Sequence, residues 1–289
     1  MVDWHAPRTL FLQAESLQKM TCVFAGIYFY DFLLNLPYDW EVINKKYTRP
    51  VTMLGNCLYI TSRYLAFICC VCMCVLISSY RAVSCPSLLR LVTLSGVVGI
   101  ASASSLLFVR ACVIWKWNRW VTACLSALLV AQYIVGIRSV ILISSVYDPS
   151  IRQCTLDDVI EDRPVSVAVF ITDFTLLAFI LIGLQRSWRD ARGFPLWYTL
   201  WNQGLLYFLL AITMEVPLVV FLMLNLNEVM NTLFIIPSVA MLVVGATRFH
   251  RELTKHSSGV TVYNVPALPS AEPDSFELVH ARVVPLHGR

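Results

Sequence analysis

Seven long stretches of the chain are almost unbroken in apolar residues, and polar residues are confined to the short segments between them. The runs lie near Leu17–Leu36, Val51–Ser79, Ser87–Trp115, Trp120–Val146, Val165–Leu184, Trp197–Leu224 and Leu226–Thr247. A helix needs about 20 mostly apolar residues to cross the hydrocarbon core of a bilayer. The pattern therefore predicts an all-α fold, a bundle of seven transmembrane helices. Only Asn225, Asn227 and Glu228 separate the last two runs, and Pro217 and Pro237 fall inside them. Neighbouring helices can satisfy the carbonyls that proline frees. Two kinked helices joined by a tight turn are expected there, with a single interfacial hairpin as the alternative.

The polar links orient the bundle, because Lys and Arg accumulate on the cytoplasmic side. Lys45, Lys46 and Arg49 occupy the first link, Lys116 and Arg119 the third, Arg186, Arg189 and Arg192 the fifth, and Arg248, Arg251 and Lys255 follow the last run. The alternate links hold only Arg81, Arg152 and Arg163, and the fourth is rich in Asp and Glu. The N-terminus is thus predicted outside and the C-terminus in the cytoplasm. Six tryptophans, including Trp115, Trp120 and Trp188, flank the basic links, where an aromatic belt belongs. Residues 1–255 form the predicted membrane domain. Residues 256–289 mix Ser, Pro, Glu and Val without period and read as a disordered cytoplasmic tail.

Composition sharpens the class. Hydrophobic residues make up 58% of the 289 and charged residues 14%, against about a quarter charged in soluble domains. The main partner is then the lipid bilayer, with the plasma membrane expected over an internal one. The net charge of +4 is spread over the links and builds no basic patch with stacking aromatics, which argues against nucleic acid. The opening residues include Asp3, Pro7, Arg8 and Glu15 and lack the order of a cleavable signal peptide. The first apolar run is expected to act as its own insertion signal.

Ionisable residues within apolar runs are costly and mark either ion pairs or functional contacts. Asp31, Arg63, Arg138, Asp173 and Glu215 are of this kind. Asp31 with Arg63, on consecutive helices, is the first expected pair, and Arg138 with Asp173 the second. Glu215, one turn from Pro217, has no evident partner and is the first candidate for a ligand, ion or proton contact. Arg110 lies near the cytoplasmic end of the third run and is the candidate for contact with a signalling partner. The third run is also rich in small residues from Ser95 to Ser105, which lets helices approach closely.

Cys69, Cys70, Cys72 and Cys74 cluster in the second run, far from any His, and read as packing residues; no metal or other cofactor is expected. Cys85 and Cys154 both fall on the predicted outer side, where a disulfide would persist, and are the candidate bridge. All five His residues lie in terminal regions, and the Gly-x-Ser-x-Gly, phosphate-loop and His-Glu-x-x-His patterns are missing. The sequence is therefore read as that of a non-catalytic protein.

Tyr30-Asp31-Phe32-Leu33-Leu34, Glu41-Val42-Ile43, Lys45-Lys46 and Arg63-Tyr64-Leu65 resemble a domain of unknown function at the N-terminus of many basidiomycete membrane proteins. The likeness covers residues 17–80 and extends to Val109-Arg110-Ala111, Trp115, Asp173, Gly204-Leu205-Leu206-Tyr207-Phe208 and Arg248. Ser62, Gln203 and Pro37-Tyr38-Asp39-Trp40 depart from the family pattern. The resemblance implies a fungal seven-helix integral membrane protein and carries no established activity. At the level of fold alone, the predicted helix count and orientation are similar to those of G-protein-coupled receptors.

Three functional readings follow. A receptor-like protein sensing a small ligand predicts an outer cavity closed at its floor. A small-molecule or ion transporter predicts a path polar at both ends. A structural or assembly protein predicts no cavity and buried charges that are all paired.

Overall fold

A computed structural model describes residues 7–45, 50–78, 85–142, 145–148, 153–156, 163–188, 213–224 and 228–259. The helices are α1 (Pro7–Leu34), α2 (Leu36–Asn44), α3 (Pro50–Ser78), α4 (Cys85–Ile114), α5 (Arg119–Leu142), α6 (Arg163–Trp188), α7 (Thr213–Leu224), α8 (Glu228–Thr232) and α9 (Ile235–Gly259). Five segments among the described residues are long and apolar enough to cross a membrane: Pro50–Leu76, Ser87–Ile114, Arg119–Leu142, Pro164–Gly183 and Val229–Glu252. Counting the bent pair α1 and α2 as one span makes six. The chain is thus a helical, multi-pass integral membrane protein. Most of the sixth predicted run, Trp197–Leu224, lies outside the described residues, and α7 is its end.

The element breaks have local causes. Pro37 stands in the first turn of α2. It brings no N–H for the helix to use, and α1 and α2 meet at 50°. Asn35 at the joint donates its side-chain amide to the Asp31 carbonyl at 2.6 Å. At the other end of the bundle's third link, Lys116 and Trp117 adopt positive φ of 51° and 56°. Trp117 N–H reaches the Cys112 carbonyl and Lys116 N–H the Val113 carbonyl, the paired bonds that close a helix in the Schellman motif. Asn118 then caps α5 by accepting from the Trp120 N–H at 3.1 Å.

Among the described residues the fold departs from all-α in one place. Ser145–Asp148 and Gln153–Leu156 form an antiparallel hairpin, β1 and β2, with Tyr147 opposite Cys154. The predicted fourth run continued to Val146, but the helix ends at Leu142. β1 packs against α4 and β2 against α3. The side chains of Cys85 and Cys154 are outside the described set, and so is the predicted bridge between them.

α4 borders α3, α5 and α6. Just over half of its apolar window is buried, 56%, as in the span ending at Glu252; the figure is 28–33% for α3, α5 and α6. The small residues explain the difference. A Cβ on Gly99 would lie 3.5 Å from the Ala66 amide nitrogen, and one on Gly96 3.5 Å from Cys69 Sγ, so α3 and α4 touch along that face. Large apolar side chains such as Ile134 and Ile141 project outward from α5, as a lipid-facing surface requires. By compactness the chain divides after Glu252, and every contact below lies within Met1–Glu252. The predicted tail lies outside the described residues beyond Gly259.

Candidate functional site

Among the described residues, two polar layers interrupt the apolar bundle. The first gathers side chains from α1, α2, α3 and α9. Asn56, Tyr59 and Arg63 stand at i, i+3 and i+7 on α3 and so share one face. Arg63 is 1% exposed. Its guanidinium lies 3.6 Å from Asp31 Oδ2 and 3.1 Å from Asp39 Oδ2, and it donates to the Phe32 carbonyl at 2.8 Å. The cation also sits over the rings of Phe32 and Tyr59, 5.0 and 5.6 Å from their centroids. Tyr59 donates to Asp39 Oδ1 at 2.7 Å, and Tyr28 to the Arg63 carbonyl at 2.6 Å.

From α9, Arg248 and Arg251 point into the same layer. Arg248 donates Nε and Nη2 to Asp31 Oδ1 at 2.9 and 2.8 Å. Arg251 Nη2 lies 3.7 Å from that oxygen. Three arginines thus surround two aspartates. Arg248 is about half exposed while Arg63 and Arg251 are buried, so the layer grades from a dry interior to the bundle end. Continuing it, Arg110 Nη2 approaches His250 Nδ1 at 3.0 Å, and His250 Nε2 approaches Asn56 Oδ1 at 3.0 Å. Arginine only donates. His250 Nδ1 must therefore accept, which leaves the ring proton on Nε2 for Asn56. The imidazole stacks on Tyr59 at 5.4 Å.

The second layer lies deeper. Ser104 of α4 donates to Asp173 Oδ1 of α6 at 2.6 Å, and Gln132 of α5 donates to Ser104 Oγ at 3.3 Å. Glu215 of α7 stands at hydrogen-bonding range of the Asp173 carboxyl. Two carboxylates cannot bond to one another unless a proton lies between them. Glu215 also forms part of the wall of a cavity of about 220 Å³. Most of that wall is apolar, contributed by residues such as Met73, Val92, Val97, Val169, Leu218 and Val239. These residues place the cavity toward the C-terminal end of α3 and the N-terminal ends of α4, α6 and α9. The ionic layer occupies the opposite ends of α3, α4 and α9.

No family model matches the sequence, and no curated protein does. The arrangement of side chains must therefore speak for itself. Asp31 and Arg63 meet in the first layer. Asp173 and Glu215 meet in the second, as a carboxyl pair. The expected pairing of Arg138 with Asp173 is not formed: Arg138 is exposed on α5, and Asp173 is fully buried against Ser104 and Glu215. Arg110 is half-buried and turned toward His250. Lys46 and Arg49 lie outside the described residues.

Sequence reasoning did not single out Asp39, Tyr59, His250, Arg248 or Arg251 for the site. Asp39 reads as part of a polar link, and the last three as the start of a tail. One signal was available. Arg251 continues the four-residue spacing of the buried Val243 and Thr247, which marks the three as one helical face; Arg248 falls off that face.

Proposed function

We propose that the protein is a receptor-like seven-helix membrane protein, N-terminus outside, that senses a small ligand in the cavity of its outer half and carries out no catalysis. The cavity supports this reading most directly. It lies at the bundle end that the positive-inside rule assigns to the outside, while the cytoplasmic ends of the same helices are filled by the ionic layer. Between them the bundle is closed by buried side chains, Ala103, Leu106 and Leu107 on α4 and Val243 on α9. The polar groups at that level, Ser104, Gln132 and Asp173, are themselves 0–3% exposed, whereas a transport path would need them open to both sides. A purely structural protein would need no cavity. Arg110, held by His250 at the inner end, is the residue placed to report a change in the bundle to a cytoplasmic partner.

The reading is tested in two measurements on the full chain. An N-terminal epitope is expected to be accessible on intact cells and a C-terminal one only after permeabilisation. In detergent, cyclohexylmethanol is expected to raise the unfolding temperature saturably in the natural protein and not in Gly96→Leu. Gly96 lines the cavity, and a Cβ there meets only Cys69 Sγ within 4 Å, so the longer side chain extends into free space. A C-terminus found outside, or equal shifts in both proteins, rejects the proposal.

A further inference from the structure

The polar layer beside the cavity is rich in acceptors and short of donors. Gln132, Ser104, Asp173 and Glu215 make a contiguous chain across four helices. Along it, Gln132 Oε1, Asp173 Oδ2 and Glu215 Oε1 are buried with no N–H or hydroxyl donor among the described residues. The proton shared by the two carboxyls accounts for one contact between them; the oxygens left over lack a donor among the described residues. Of the three residues Glu215 is the one on the cavity wall, where an occupant can meet it. Glu215 is 5% exposed and Asp173 0%, so an occupant reaches the chain through Glu215, from the cavity.

Charge narrows the choice. No Lys, Arg or His among the described residues forms an ion pair with either carboxyl. Residues 193–212, which lead into α7, contain no Lys, Arg or His at all. Among the described residues, then, the carboxyl pair is held by protons alone, or by a cation brought from outside. A ligand carboxylate would add a third acid and be repelled. A neutral alcohol brings a single donor. An alkylammonium group brings three donors, no acceptor and the missing positive charge.

Size sets the remainder of the molecule. A dry apolar cavity of about 150 Å³ takes benzene, so 220 Å³ takes one ring with a short arm. Resting on the reading of the cavity as a ligand site, we propose that it binds a small apolar primary amine. The ammonium group sits on Glu215, the end of the Asp173–Ser104–Gln132 chain that reaches the cavity, and the hydrocarbon body fills the space between Val97, Val169 and Val239.

The test compares cyclohexylmethylamine, cyclohexylmethanol and ethylcyclohexane on the purified full chain, by calorimetric titration and by the shift in unfolding temperature. Charge-assisted hydrogen bonds predict that the amine binds about 10- to 100-fold tighter than the alcohol. In Glu215→Gln that preference is expected to fall to about threefold or less while the alcohol still binds. Should the variant fail to fold, the amine-to-alcohol ratio in the natural protein decides alone. Equal affinity of amine and alcohol overturns the amine assignment and leaves the cavity as a ligand site. Sodium chloride reproducing the amine's shift overturns it in favour of an inorganic cation. Saturable binding of none of the three overturns both this inference and the function on which it rests.

Discussion

Replacing Arg63 by Met is expected to be among the most damaging single changes in this bundle, and the contacts show why. Met fills most of the same volume but leaves Asp31 and Asp39 without the buried cation between them. The two acids do not suffer equally. Asp31 keeps both bonds from Arg248 and the nearby Arg251. Asp39 keeps only the Tyr59 hydroxyl. An uncompensated buried charge costs about 3–5 kcal/mol. Asp39→Asn alone removes the ion pair but retains an acceptor for Tyr59, and Arg63 still has Asp31; its cost is about 1–2 kcal/mol. In the double variant the orphaned acid is gone. The two losses should then be sub-additive by about 2 kcal/mol, the coupling expected of residues in one network. Arg248→Ala removes a half-exposed partner, and water screening limits its cost to about 1 kcal/mol. Reversible unfolding of the full chain in mixed micelles reads all four values. An Arg63→Met protein within 0.5 kcal/mol of the natural one, or strict additivity with Asp39→Asn, would refute the assignment of Arg63 as the cation on which both acids depend.

Two glycines give opposite expectations from one substitution. A Cβ on Gly26 meets nothing within 4 Å, so Gly26→Ala should stabilise α1 by up to about 1 kcal/mol. A Cβ on Gly136 would lie 2.6 Å from Val97 Cγ1, so Gly136→Ala should cost about 1–3 kcal/mol by overpacking and, since Val97 lines the cavity, weaken binding of any probe there. The same unfolding assay separates them, and a shared sign contradicts the packing described. Arg138→Gln, at an exposed position of α5, should change stability by less than about 0.5 kcal/mol; a loss of several kcal/mol would show that Arg138 has a buried partner.

Hydropathy made the long helices legible, because a span must be apolar along its whole length whatever it packs against. It also exposed Asp31, Arg63, Asp173 and Glu215, each a lone charge among apolar neighbours. Their partners were harder to read. Complementary charge was the guide, and it led from Asp173 to Arg138. A helix apolar on all sides, as α5 is, carries no sign of which face turns inward. The carboxyl pair of Asp173 and Glu215 is invisible to a search for opposites, since a shared proton leaves no mark in a sequence. Helix ends posed the other difficulty. The apolar run stops near Thr247, but α9 continues to Gly259. Its polar extension is stabilised by Asp31, Tyr59 and Asn56 from elsewhere in the chain, and local composition holds no record of such contacts. The hairpin at 145–156 was missed for a related reason, since Ser-Val-Tyr prolongs an apolar run as readily as it starts a strand.

The ionic layer joins residues made at very different times. Asp31 and Arg248 are separated by 217 positions. At about 5–20 residues per second, Asp31 waits roughly 10–40 seconds for the arginine that contacts it. Arg63 follows Asp31 within a few seconds at that rate, so it is the interim companion that lets the first helices enter lipid. Only emergence of α9 completes the layer. A chain cut short before α9 therefore holds its early spans but leaves Asp31 without Arg248 and Arg251. The finished and the unfinished molecule thus differ in the charge that Asp31 leaves uncompensated within the bundle.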